Sequence, residues 1–214
     1  MWPEVIDFVT QVCSERDISH DLEHMKIVAS NAKIICDGLG ITDHRTLMLV
    51  ELVAWLHDVN DRKYPSTLDR LTKFLENLQV KYQQPETFTQ DVLLMVGHIG
   101  WSKERQVFGD SPQDWSKVFN DPELILIRNI VSDADKLEAL GKIGIDRCLQ
   151  FGYHMNPEVT TRQSIQRVLD HAEDKLNFLV KYFTTEPGKV MAKIRHEETQ
   201  MILEVFRTTL KYTV

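Results

Sequence analysis

Glu51-Leu-Val-Ala-Trp-Leu-His57-Asp58-Val-Asn-Asp61-Arg-Lys63-Tyr64 is an apolar helical run that ends on an imidazole and a carboxylate. Two metal-grade ligands at the inner end of such a helix are costly to bury unless something binds them. The rest of the chain can be searched for residues that complete that site.

Working outward, apolar residues recur at spacings of three and four, the pattern of amphipathic helices. Val5, Ile6, Phe8, Val9 and Val12 predict a helix over 3–14, with Pro3 near its start. Asp17 to Asp21 reads as a turn, and a helix follows over 21–37, stopped by Gly38 and Gly40. Thr42 and Asp43 cap a helix over 44–58. Ser66 caps one over 67–79, and Pro85 precedes one over 86–98. Residues 99–120 are polar and aromatic, and read as the longest irregular stretch, a candidate lid or substrate loop. Asp121-Pro122-Glu123 opens a helix over 122–140. A short helix over 142–152 and two long ones, Thr161 to Tyr182 and Gly188 to Tyr212, complete the chain. No convincing period-two strand occurs, so the expected class is all-α.

The 214 residues show no linker and no shift in composition, so one domain is expected over 1–214. Apolar content of 43% can build a core of ordinary size. The net charge of −7, with no basic stripe, argues against nucleic-acid binding through bulk electrostatics. A local pocket field can still attract a small anion. Cys13, Cys36 and Cys148 are odd in number and far apart, which fits a reducing compartment and not a disulfide scaffold. No secretory signal pattern and no membrane-length apolar run is seen, so the chain reads as cytoplasmic or nuclear.

Four features carry chemistry. His20 and His24 lie four apart at a helix start and can share a face. His57-Asp58 is the second feature, and Asp133-Ala-Asp135, two carboxylates inside an apolar helix, the third. The fourth is a late basic set of Lys175, Arg195 and His196. Imidazole with carboxylate suits Mn²⁺, Fe²⁺, Co²⁺ or Zn²⁺ better than Ca²⁺. Water on such an ion loses its proton near neutral pH and becomes a nucleophile for phosphorus. Each feature also has a plainer role: His20 as a cap, Asp133 and Asp135 as surface charges, His44 and His154 as solvated side chains.

The order of these features resembles the HD-domain metal-dependent phosphohydrolases, with their H…HD…D pattern, and within them a branch of small single-domain hydrolases. The resemblance rests on Ser19-His20-Asp21-Leu-Glu-His24, on Leu56-His57-Asp58 with Asp61-Arg-Lys63-Tyr64, and on Asp133-Ala-Asp135-Lys136-Leu-Glu138-Ala-Leu-Gly141-Lys-Ile-Gly144-Ile-Asp-Arg147. His171-x-x-x-Lys175 and Arg195-His196 extend it, so that it spans about residues 17–206. It implies an HD-type helical bundle and one divalent metal held by His24, His57, Asp58 and Asp135. Mn²⁺ is expected first, with Fe²⁺, Co²⁺, Ni²⁺ or Zn²⁺ as other fits. Residues two apart on a helix point about 200° apart, so only one of Asp133 and Asp135 should face the ion; the family pattern selects Asp135.

Asp61 is then a candidate general base or water-orienting group, and His20 a candidate proton donor. Lys63, Lys175 and Arg195 are candidates for phosphate. Arg147 is read as bonding a backbone carbonyl. Trp101, Trp115 and Tyr64 are candidate stacking surfaces. His98 raises the option of a second ion. The expected activity is hydrolysis of a phosphate ester or anhydride in a nucleotide or related small molecule, of nucleotide pyrophosphohydrolase or nucleotidase type. A phosphodiesterase and a non-catalytic sensor or interaction module are the alternatives. The expected partner is the small phosphate substrate, without nucleic acid or membrane, and exposed apolar helix faces leave homodimerisation open.

Overall fold

The protein is described here by a computed structural model covering residues 2–14, 22–60, 67–109, 111 and 113–212. It is all-α, with no strand among the described residues. The helices are α1 (Pro3–Cys13), α2 (Leu22–Gly38), α3 (His44–Leu56), α4 (Thr67–Lys81), α5 (Phe88–Gly97), α6 (Trp101–Phe108), α7 (Pro122–Leu137), α8 (Gly141–Met155), α9 (Thr161–His171), α10 (Asn177–Leu179) and α11 (Glu186–Tyr212).

At the centre, α2, α3 and α7 pack against one another. The sequence explains why α3 lies inside: Leu49, Val50, Leu52, Val53, Ala54, Trp55 and Leu56 are all buried. A helix apolar on nearly every side has no face to give to water. Asp43 sets its start by accepting a 2.8 Å hydrogen bond from the Thr46 amide. In α7, Ile127, Ile130, Val131, Ala134 and Leu137 are fully buried. Its start is fixed by Pro122 and by Asp121, which accepts from the Glu123 amide at 2.8 Å. A second apolar cluster, with Ile145, Ile165, Val168, Leu169, Leu176 and Leu203, joins α8 and α9 to α11.

Two expectations are corrected. Residues 99–120 are not one irregular stretch, because α6 occupies Trp101–Phe108 and a 3₁₀ turn occupies Trp115–Lys117. The inward residue of α6 is a carboxylate, Glu104, so no apolar periodicity announces the helix. Glu104 is fully buried and paired with the Arg128 guanidinium, and it accepts from Lys136 Nζ at 3.0 and 3.1 Å.

The expected helix over Thr161 to Tyr182 is not uniform either. A capping box between Thr160 and Gln163 starts α9, and a π-helical turn over Ala172–Leu176 then interrupts the α pattern before α10 and a 3₁₀ turn at Val180–Tyr182. Such wide turns reorient the side chains that flank them. Other boundaries differ by a few residues; α3 ends at Leu56, so His57 is its cap.

Candidate metal centre

Three elements bring four side chains together. His24 comes from the first turn of α2, His57 and Asp58 from the end of α3, and Asp135 from the last turn of α7. The two Nε2 atoms are 3.2 Å apart. Asp58 Oδ2 lies 3.6 Å from His24 Nε2 and 3.7 Å from His57 Nε2. Asp135 Oδ1 lies 3.5 and 3.7 Å from the same two atoms. Bonds of about 2.1 Å to one shared ion place adjacent ligand atoms about 3.0–3.4 Å apart; His24, His57 and Asp58 form the tight group, and Asp135 faces both imidazoles beside it.

His57 is fully buried, and its Nδ1 donates to the Ala54 carbonyl at 2.8 Å. That bond keeps the proton on Nδ1 and turns the Nε2 lone pair to the centre, as ligation requires. His24 differs. Its Nδ1 lies 2.7 Å from Arg147 Nη1, and a guanidinium only donates. While that contact stands, any single ring proton sits on Nε2, facing the carboxylates. Coordination through Nε2 therefore requires Arg147 to leave Nδ1. The donor set fits a divalent cation, with Arg147 as the group that has to yield.

Electrostatics agree with a site short of positive charge. Burial opposes a charged His24, but hydrogen bonding to Asp135 and Asp58 outweighs it and raises the ring to about 9. Burial also works against a charged Asp135, yet the two histidines hold its carboxyl far below the usual range.

Asp133 leads a different life two residues away. It is fully buried and accepts from the amides of Thr184 at 3.0 Å and Thr185 at 2.7 Å, and from Thr185 Oγ1 at 2.8 Å. It fixes the entry to α11 and does not meet the histidines.

The centre opens into a cavity of about 660 Å³, within the usual range for small-molecule sites. Its walls include Arg147 and Phe151 from α8, Arg167 and His171 from α9, Lys175 from the π turn, and Trp101 from α6. Lys175 Nζ stands 5.6 Å from the centre of the Trp101 ring. Among the described residues neither Lys175 nor Arg167 makes an ion pair. Burial, and then the nearby Lys175 charge, push the His171 ring below its ordinary value.

The remaining candidates fall elsewhere. Arg195 donates to the Leu137 carbonyl at 2.8 Å and to Asn31 Oδ1 at 3.2 Å, with Glu138 Oε1 3.6 Å away. It ties α11 to α7 and α2, and is not among the cavity walls. Arg147 and Arg195 have thus exchanged roles relative to expectation: Arg195 bonds the carbonyl and Arg147 faces the cavity. Trp115 is 3% exposed, under the Arg128 guanidinium at 3.8 Å, and belongs to the core. His98 donates from Nδ1 to the Leu94 carbonyl at 2.8 Å and packs edge-on against Trp115 and Phe119, away from the cavity walls. His20, Asp61, Lys63 and Tyr64 lie outside the described residues.

Arg167 and His171 had no assigned role from sequence, although a signal was present. Arg167, His171 and Lys175 recur every fourth residue, which keeps them near one face of a helix.

No family model matches the chain. Relatives are nonetheless found. YpgQ of Bacillus subtilis (strain 168), an uncharacterised protein, is 26% identical over 194 residues, covering 90% of this chain and 85% of YpgQ. The crystal structure of YpgQ in complex with ADP is similar with a TM-score of 0.68 at 22% identity, over 97% of this chain and 96% of that one. An HD-superfamily hydrolase from Bacillus thuringiensis gives a TM-score of 0.66 at 23% identity, over 98% and 96% of the two chains. The likeness runs over nearly the whole of each chain, and this chain shares the all-α fold of these solved structures.

Proposed function

We propose that this chain is a metal-dependent phosphohydrolase acting on a nucleotide or a closely related small phosphate compound, within one HD-type domain spanning 1–214. The observation that carries it is the junction of two features: four convergent donor atoms at one end of a cavity, and several cationic side chains along its walls. The crystal structure of YpgQ with ADP supports the choice of a nucleotide. No described helix is long and apolar enough to cross a membrane. A small nucleotide substrate and three free thiols suit a cytoplasmic setting.

His24, His57, Asp58 and Asp135 would hold one divalent ion, Mn²⁺ by preference. When bound, such an ion acidifies water and screens phosphate charge. Arg147, Arg167 and Lys175 bind phosphate oxygens through charge-assisted hydrogen bonds. Arg147 serves both ends of this scheme, since the motion that releases His24 Nδ1 also turns its guanidinium, held from the other side by Glu138 at 3.3 Å, towards an anion. His171, held towards its neutral form, can hydrogen-bond an oxygen on the leaving side. Trp101, Phe151 and Met155 give the cavity an apolar wall suited to a base. Asp61 as proton acceptor, His20 as proton donor and Lys63 as a further phosphate ligand complete the proposal from sequence.

The test is a screen of chelator-free protein with Mn²⁺ against nucleoside mono-, di- and triphosphates and cyclic nucleotides, with Asp58→Ala as control. Release of pyrophosphate or orthophosphate that disappears in the control is the expected result. Turnover unaffected by Asp58→Ala, or no turnover of any phosphate compound by metal-loaded protein, would contradict it.

A further inference from the structure

Helix α11 is apolar on two opposite faces. Ala192 and Leu203 enter the core, with Gly188 and Thr199 buried beside them. On the far side Val190, Ile194, Met201 and Val205 are 61%, 64%, 65% and 61% exposed. Their spacing of four, seven and four confines them to a sector of about 60°. Tyr212, 83% exposed, continues the line seven residues on. A helix with one face on the core ordinarily presents charge on the other, so this straight apolar stripe needs a partner.

We infer that the stripe is the interface of a homodimer, in which α11 of two copies pack antiparallel about a twofold axis. A twofold axis between the helices places Val190 against Val205 of the second copy and Ile194 against Met201 of the second copy, and the converse. One stripe is thereby matched by itself. The charges beside it follow the same symmetry. Lys193 and Glu204 lie on one flank, and antiparallel pairing brings that flank against itself, so each Lys193 meets a Glu204 of the other copy. Glu186 and Lys211 repeat this at the ends. An anionic lipid surface would not match flanks of alternating sign.

Glu197 stands near the axis, close to its own symmetry mate, and opposes association. The contact along one helix per copy buries roughly 400–500 Å² on each, about half the area per partner of a stable specific interface, so the dimer is a weak, concentration-dependent one. A groove beside Met201, walled by Ile145, Leu149, Ile202 and Phe206, adds apolar area along the same edge.

Sedimentation velocity of the full chain tests this over about a hundredfold concentration range bracketing the micromolar. The expected result is a mass rising towards two chains. Ile194→Glu with Met201→Glu holds the protein monomeric and melts at the midpoint of wild type diluted to the monomer, because both side chains lie in solvent in a single copy. Glu197→Gln moves association to lower concentration. Lys193→Glu moves it to higher concentration, and adding Glu204→Lys restores it. A monomer at every concentration overturns the inference, as does a dimer indifferent to the Ile194 and Met201 changes. If that double variant melts early, the Lys193–Glu204 exchange still decides: loss without rescue counts against the inference.

Discussion

Helix α7 supplies charge to two places a few ångströms apart, and the two differ in how that charge is answered. On its inner side Asp133 and Glu104 face Arg128 and Lys136, with Ser132 and the Thr184–Thr185 amides taking up further hydrogen bonds. Two carboxylates meet two cations, and the cluster closes on itself. At the other place Asp135 and Asp58 meet two imidazoles, one of them locked with its lone pair inward, and the proton that His24 holds up to about 9 answers only one of the two charges. The first arrangement is complete without a ligand. The second becomes balanced when a divalent cation enters. Charge balance thus distinguishes a structural cluster from a binding centre, although both are buried, polar and fed by one helix.

The largest expected contrast follows from removing one carboxylate from each place. Asp135→Asn should lower turnover by about a thousandfold, since metal-borne charge stabilisation is worth several kcal/mol. The same change should also cost the metal-free protein some stability, because it removes the carboxylate that the two histidines stabilise and that keeps His24 protonated. Glu104→Ala should act on stability alone. Stripping one partner from a buried ion cluster costs roughly 3–5 kcal/mol, readable as a lower urea midpoint, while metal binding by the remaining folded protein persists.

Acid should find the same difference. Burial would raise Glu104, but Lys136 and Arg128 outweigh it and hold the carboxyl below its ordinary value. Its contribution is therefore present above the unfolded carboxylate range near 4.5 and is lost as pH falls through the lower folded value. His24 has the opposite sign. Raised to about 9, it favours the metal-free fold below its unfolded value of 6.5 and loses that contribution as pH rises towards 9. Metal entry must displace this proton, so apparent Mn²⁺ affinity should climb by up to about tenfold per pH unit in that window. Titration calorimetry in buffers of different ionisation enthalpy would register the released proton.

Smaller effects sharpen the comparison along the cavity. Arg167→Ala should raise KM by about tenfold or more, as expected for one charge-assisted hydrogen bond of roughly 1.5–3 kcal/mol, and leave the thermal midpoint nearly unchanged. Arg195→Ala should behave in the opposite way, costing about 1–2 kcal/mol of stability through the lost Leu137 and Asn31 bonds with little change in KM. If both variants changed KM alone, the division between cavity cations and structural cations would fail.

Much of this was legible in the sequence because it depended on helical periodicity. The all-α class, the central position of α3 and the approximate ends of most helices follow from apolar spacing and capping residues. The opposite orientations of Asp133 and Asp135 follow from the rotation per residue. What escaped depended on partners distant in the chain. α6 hides because its anchor to the core is Glu104, whose cations Arg128 and Lys136 come from another helix. Trp115 reads like a stacking surface until Arg128 covers it. The exchange of roles between Arg147 and Arg195 depends on where α8 and α11 pass the end of α7, which no local pattern encodes. The spacing of Arg167, His171 and Lys175 was visible, but the cavity it faces was not.

One centre on α7 wants a cation and its neighbour does not. Metal content per chain, measured after equilibration with Mn²⁺ and removal of free ion, tests this most directly on the wild type, Asp135→Asn and Asp133→Asn. About one ion per wild-type chain, none in Asp135→Asn and about one in folded Asp133→Asn is the expected result. Retention of the ion by Asp135→Asn, or its loss from folded Asp133→Asn, would contradict the division of charge on α7 and the site built upon it.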